Sequence, residues 1–502
     1  MNYRETLLIS IIIIMLFAAF INSYLVLLLS FVASLCISLY LIYRILADGQ
    51  SNRFFLLSSL ACGGWISGGF LQSAFYFLRL PGTNFSTLFQ SSSLVVIDVR
   101  IYALAAAYVF LFILFSALFS RFSFIRKAED LFEQRILDRL RYVSLSTWSP
   151  TLFIVSLVLI AVSYGGFYSI KGLATEFNSD QGSLPWWYIL VSFLISTLPI
   201  LISQVFVHLK FPLSLPGFVG IVGFLTGFYF SSITGRFAVL AYLLLIPLAW
   251  IVIQKPRLSL APRYLFSILM LLLVAFALFP VINSFFAFIN VARVDAGRYT
   301  NPLLFLSSYL DFIASSQSVD IALSVSAENL TSRPLVLWPL AASISMVLEG
   351  ENSGFLYFED LFNSVLNTLP RIIFPWKDSL VLQENLLYSS FPFALPWIDT
   401  ADSPYLYAFV SFGLFGVFVY PLAIGLVYWL FLRFMLVLRR FDGLFFASLA
   451  ASSCLISFSI LSYAELATTG LLRQFLVPAV IGLLGALACA PLVLIRSYKL
   501  RN

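Results

Sequence analysis

Charge is what this sequence has least of. Only 10% of its 502 residues are Asp, Glu, Lys or Arg, against about 25% in a soluble globular chain. So few charges cannot coat a folded surface, which excludes one or several water-soluble domains. Histidine is nearly absent. His208 is the single one, and without His or clustered Cys a zinc site has no ligand set. The four cysteines, Cys36, Cys62, Cys454 and Cys489, each sit inside an apolar run with no Cys-x-x-Cys spacing, so they read as small packing residues. Also missing are a Walker-type phosphate loop, a dinucleotide glycine fingerprint and a Gly-x-Ser-x-Gly elbow. ATP coupling within the chain therefore has no support. No basic tract is backed by a soluble module, which argues against nucleic acid as a partner.

What is present is long apolar sequence. Hydrophobic residues make up 61% of the chain and mean hydropathy is +0.99. With 53 Phe, 24 Tyr and 9 Trp, the chain cannot be disordered. Apolar runs fall near 6–21, 23–43, 54–78, 101–120, 151–170, 187–207, 215–233, 237–253, 264–284, 404–431, 444–463 and 474–495. At about 20 residues per helical span they predict an all-α polytopic membrane protein with about twelve transmembrane helices. The runs are too long and unbroken for the alternating strands of a membrane β-barrel. A second apolar run begins directly after the first, at Tyr24, so residues 7–20 read as a first span and not a cleaved signal. With the N-terminus in the cytoplasm, most Lys and Arg face the cytoplasm, as the positive-inside rule requires. Both termini then lie on that side.

The loops are unequal. Residues 121–149 carry mixed charge (Arg126, Lys127, Glu129, Asp130, Glu133, Arg135) and predict an amphipathic helix on the inner leaflet. One outer loop dominates, dividing the chain into helices 1–9 over 1–284, the loop over 285–403, and helices 10–12 over 404–502. Within that loop, 301–314, 318–329 and 355–369 read as helices. The stretch Pro334–Leu348 reads as a surface-lying or re-entrant helix, since a true span there would turn Arg433, Arg439 and Arg440 outward. The spans hold almost no ionisable residues, unlike the midplane of ion-coupled transporters. Polar chemistry gathers on the outer side instead. Arg236 sits between two apolar spans, where an arginine at the helix centre costs about 2.5–3.5 kcal/mol on insertion scales. Guanidinium forks bind phosphate oxygens in pairs. Arg236, with Arg293, Arg298, Arg371 and Lys377, makes a candidate diphosphate clamp; the alternative for each is a solvated or headgroup-facing charge.

The segment Leu369-Pro370-Arg371-Ile372-Ile373-Phe374-Pro375-Trp376-Lys377-Asp378 resembles the P-R-x-x-x-P-x-K stretch of bacterial O-antigen (oligosaccharide repeat-unit) polymerases of the Wzy type. Phe362-Asn363-Ser364-Val365-Leu366-Asn367 upstream fits the same pattern. Ser403-Pro404-Tyr405, Gly413-Leu414-Phe415-Gly416 and Gly425 resemble that family's entry into the next span, and Thr234-Gly235-Arg236 its short arginine-bearing outer turn. The resemblance covers residues 230–430; elsewhere it rests on hydropathy.

This resemblance implies a GT-C-like glycosyltransferase of the bacterial inner membrane, active at the periplasmic face in lipopolysaccharide or other polysaccharide biosynthesis. It would move a growing oligosaccharide from undecaprenyl diphosphate onto the sugar terminus of another undecaprenyl-diphosphate-linked repeat unit. Its partners would be that lipid-linked oligosaccharide, membrane lipids and a chain-length regulator (co-polymerase), with no cofactor and no metal. The donor is already activated, so the protein's task is to stabilise the departing diphosphate and to position the acceptor hydroxyl. With no outer-face histidine, a carboxylate is the candidate base: Asp378 or Glu384, with Asp402 behind. Trp376, Tyr388 and Tyr405 are candidates for stacking on sugar rings, or for an interfacial aromatic belt. Two other readings stand: an O-antigen ligase-like transferase, whose resemblance leans on a loop histidine absent here, and a polysaccharide flippase with no bond-making role.

Overall fold

The structure is a computed structural model. It describes residues 3–48, 50, 53–78, 98–142, 149–161, 194–195, 197–202, 204, 215–234, 242, 246, 249, 252–253, 284–285, 288, 302–315, 337–350, 354–359, 362–363, 366, 383–391 and 403–438. Among the described residues the chain is helical throughout, with no strand. Five helices are long and apolar enough to cross a membrane: Tyr3–Ile21, Tyr24–Ala47, Phe54–Gln72, Val99–Phe119 and Pro404–Val437. They coincide with the apolar runs near 6–21, 23–43, 54–78, 101–120 and 404–431, and give the chain the character of a membrane-embedded helical protein. The runs near 237–253, 264–284, 444–463 and 474–495 lie wholly or mostly outside the described residues.

The chain divides into two compact units. The first takes Met1–Asp130, Asn329–Arg433 and Ser457–Leu472; the second takes Leu131–Glu328, Phe434–Ile456 and Arg473–Asn502. In the first unit, α1 (Tyr3–Ile21), α2 (Tyr24–Ala47), α3 (Phe54–Leu78) and α4 (Val99–Phe119) run up and down in sequence. Helix α4 is the hub, touching α1, α2, α3, α10 (Leu337–Glu349) and α12 (Pro404–Phe412). Helix α1 buries one stripe, Leu8, Ile11, Met15 and Ala18, while Ile13, Phe17 and Phe20 stay exposed as a lipid-facing side would. Lipid gives no hydrophobic drive between helices, so close packing must supply it. Small residues do this between α2 and α3. Ser34 and Ser38 are fully buried, and a Cβ on Gly64 would stand 3.8 Å from that of Ser38. The Ser34 hydroxyl donates to the Ser30 carbonyl one turn back, 2.7 Å away, so its polarity is satisfied within its own helix.

Helix α5 (Ser123–Phe132) opens a helical run that passes through a π turn at Glu133–Leu137 into α6 (Asp138–Tyr142). The run is amphipathic, as its mixed charge predicts: Arg126 and Lys127 are exposed while the opposite stripe packs on protein. Ile125, Ala128 and Glu129 are buried in protein, and Ile125 meets Gly425 of α13 (Gly416–Leu438). Helix α10 occupies most of the stretch Pro334–Leu348, expected as a surface-lying or re-entrant helix. Leu337 through Met346 are all buried, and its 13 residues span about 20 Å, short of the ~30 Å hydrocarbon core.

In the second unit, α7 (Ser149–Ala161) meets α8 (Leu215–Thr234) through glycines. A Cβ on Gly223 would strike Ser156 at 2.6 Å, and one on Gly227 the Tyr242 hydroxyl at 2.6 Å. Helix α9 (Pro302–Ala314) falls where 301–314 predicts it. It packs Tyr309 edge-on against Phe285, ring centroids 5.3 Å apart.

Candidate functional site

Helix α12 opens the fifth of the long apolar helices, and its start follows from local chemistry. Ser403 is extended, its hydroxyl accepts from the Leu406 N–H at 3.2 Å, and Pro404 takes the first helical position, where its missing N–H has no consequence. The helix then breaks. At Gly413 φ is +57°, followed by a 3-10 turn to Phe415 before α13 begins. Glycine is needed there because that conformation disfavours a Cβ. Gly416 is needed for a different reason: an added Cβ would overlap the Ala408 carbonyl and come within 2.6 Å of the Tyr108 hydroxyl. The Tyr108 hydroxyl also donates to the Gly413 carbonyl at 3.2 Å.

A broken helix leaves carbonyls without intrahelical donors, which is tolerated at membrane depth only if protein satisfies them. Loop residues Gly354–Phe358 do so. The Leu356 N–H donates to the Val410 carbonyl at 3.0 Å and the Tyr357 N–H to the Ser411 carbonyl at 3.2 Å. The strap takes the first residues of the helix expected near 355–369, while Glu359, Phe362, Asn363 and Leu366 beyond it are helical. Tyr357 (φ +45°) and Phe358 (φ +75°) are both left-handed, a conformation that costs roughly 1–2 kcal/mol per non-glycine residue. Aromatic rings offset it. Phe358 stacks on Tyr420, centroids 5.6 Å apart, and meets Phe412 edge-on at 4.5 Å. Phe355 covers Gly413 and contacts Phe391 at 6.4 Å. Phe391 is fully buried at the end of α11 (Gln383–Ser390). Strap, helix break and α11 therefore meet through one aromatic chain.

Glu384 and Tyr388 occupy backbone positions one turn apart on α11. Tyr405 is described in full, 2% exposed and edge-on to Phe112 at 4.9 Å, its hydroxyl beside the Cys62 thiol. That burial corrects the sugar-stacking expectation for Tyr405, because neither ring face is open. Asp378, Asp402, Arg236, Arg293, Arg298, Arg371, Lys377 and Trp376 lie outside the described residues. Among the described residues, no group of three or more His, Cys, Asp or Glu is placed to hold a metal ion.

A second polar centre, unforeseen in the sequence, forms at the other end of the same unit. The Glu129 side chain is 0% exposed and takes Arg53 Nη1 at 3.1 Å, while Arg53 Nη2 reaches Asp130 at 2.9 Å. Tyr428 Oη donates to Glu129 at 3.3 Å, and its ring stacks on Phe55. The Phe55 backbone N–H also donates to Glu129, so the carboxylate caps the N-terminus of α3 from a distant part of the chain. Burial pushes the Glu129 carboxyl up to about 7, against the pull of Arg53, Tyr428 and Phe55. Nearby, Arg121 pairs with the buried Glu5, and Arg4 bonds Gln50 at 3.2 Å and Asp48 at 3.4 Å. The sequence signal for Glu129 is its place four residues after Ile125 and three before Phe132, which puts an acid on the apolar stripe.

Comparison with protein-family models, with curated proteins and with solved structures finds no match.

Proposed function

We propose that this protein is a polysaccharide repeat-unit polymerase of the membrane. It transfers a growing oligosaccharide from a polyprenyl diphosphate carrier to the sugar end of a second carrier-linked unit at the periplasmic face of the bacterial inner membrane. The observation that carries this reading is the Pro370-Arg371…Pro375…Lys377 stretch, together with the Thr234-Gly235-Arg236 turn. Arg236, Arg293, Arg298, Arg371 and Lys377 bind the diphosphate and stabilise its charge as it leaves. Asp378 or Glu384 accepts the proton of the acceptor hydroxyl, with Asp402 behind. Trp376 and Tyr388 remain the sugar-contacting candidates.

The cellular test uses a strain lacking the native copy and complemented with Arg236→Ala or Arg371→Ala. The expected phenotype is loss of long surface polysaccharide with one repeat unit retained. Unchanged chain length at normal protein level would refute the clamp.

A further inference from the structure

We propose that the strap Gly354–Phe358 is a latch that releases from the broken helix α12/α13 and recloses as the protein works. Two opposed sets of interactions meet in it. Holding it closed are the two N–H···O=C bonds to Val410 and Ser411, at 3.0 and 3.2 Å, and the seat of Phe358 between Phe412 and Tyr420. Forcing it open are two successive left-handed residues, neither of them glycine. Such strain persists only where its surroundings over-determine it, and it is concentrated at clamps and switches.

Three further features suit a moving part. Gly350 (φ +74°), upstream of the strap, and Gly354 (φ +146°), its first residue, have open space where a Cβ would stand, and both take φ values that glycine reaches without strain. Tyr357 is 68% exposed, its ring meeting Phe412 edge-on at 6.0 Å and Phe355 at 6.4 Å, so the strained residue is held by ring edges at the surface and not by a seat in the core. Beyond the strap, the Glu359 N–H bonds back to the Leu356 carbonyl at 2.9 Å, closing a turn that would travel with it. Release would bare the Val410 and Ser411 carbonyls and the Phe412–Tyr420 seat.

The test is hydrogen exchange, read by mass spectrometry on the full chain in lipid nanodiscs, over peptides covering 354–362 and α12. Asn accepts the left-handed conformation far better than other side chains, so Tyr357→Asn should raise protection of the strap several-fold, up to about tenfold. Tyr357→Val, β-branched and ill-suited to positive φ, should lower it. Protection in α1 serves as the folding control and should not change. Strap protection in Tyr357→Asn equal to or below the parent's would overturn the latch.

A second arm rests on the polymerase reading. Surface polysaccharide should shorten in Tyr357→Asn cells, because a latch held shut opens less often. Slowed exchange with unchanged polymer would overturn the latch's part in the working cycle. Absence of polymer in the parent strain would count against the polymerase reading alone, since the exchange arm needs no activity.

Discussion

The two ends of the first unit are held by opposite means. At one end, charges do the fastening: Arg53 forks between Glu129 and Asp130, Arg121 pairs with Glu5, and Arg4 reaches Asp48. These contacts join the start of α1, the end of α2, the start of α3 and the end of α4, and Tyr428 brings in α13. At the broken helix no charge takes part in the contacts described. Backbone bonds, aromatic rings and two strained residues hold it. The ionic end fixes helix register through directional contacts on unstrained helices. The strapped end keeps its shape against a local conformational preference. The first is built to stay closed, the second to open.

The sharpest way to break the strapped end without touching the ionic one is Gly416→Val. Its Cβ has nowhere to go between the Ala408 carbonyl and Tyr108. The expected loss is about 3 kcal/mol or more, seen as failure to recover folded protein in detergent.

At the ionic end, Arg53→Met leaves a buried carboxylate without its cation. It should destabilise by about 3 kcal/mol at pH 8 and by less at pH 5.5, where Glu129 carries its own proton. Thermal unfolding at the two pH values checks this. The parent protein should show the related pH effect. Burial raises the Glu129 carboxyl from 4.5 to about 7, so the folded state keeps a proton that the unfolded state has lost. Stability from this group therefore falls as pH rises from 4.5 to about 7 and is level above that. Glu129→Gln should remove that slope, and an identical slope in parent and variant would contradict the assignment. The smallest effect belongs to Arg4→Ala. Its partner Asp48 is 37% exposed, and such pairs contribute about 0.2–1 kcal/mol.

How much of this was legible depended on the range of the interaction. Ser403-Pro404 marks a helix start through chemistry within three residues, and the helix begins there. The first four spans and α9 follow from local apolar content. The break at Gly413 did not follow, because hydropathy across 404–431 is uniform. The Gly413…Gly416 pair was visible, but the N–H donors that make a break tolerable come from Leu356 and Tyr357, more than fifty residues upstream. Tyr357 and Phe358 look like ordinary helix-compatible aromatics, and their left-handed backbone is imposed by the seat on Tyr420. Glu129 was hidden by its neighbours. Arg126, Lys127 and Asp130 make α5 look like a solvated face, and only the meeting with Arg53 shows that the acid is inside. Tyr405 shows the converse: it stands two residues after the helix cap Ser403 in sequence, yet its ring packs into the bundle against Phe112.

Bond formation between lipid-linked sugars can be measured directly, without cellular complications. Purified protein in nanodiscs is incubated with lipid-diphosphate-linked repeat units extracted from its native host, with no nucleotide and no lipid A acceptor. The account requires a ladder of products spaced by one repeat unit, with release of the polyprenyl diphosphate. Transport of the substrate across vesicles with no new glycosidic bond, or transfer only when a lipid A-core acceptor is added, would contradict it.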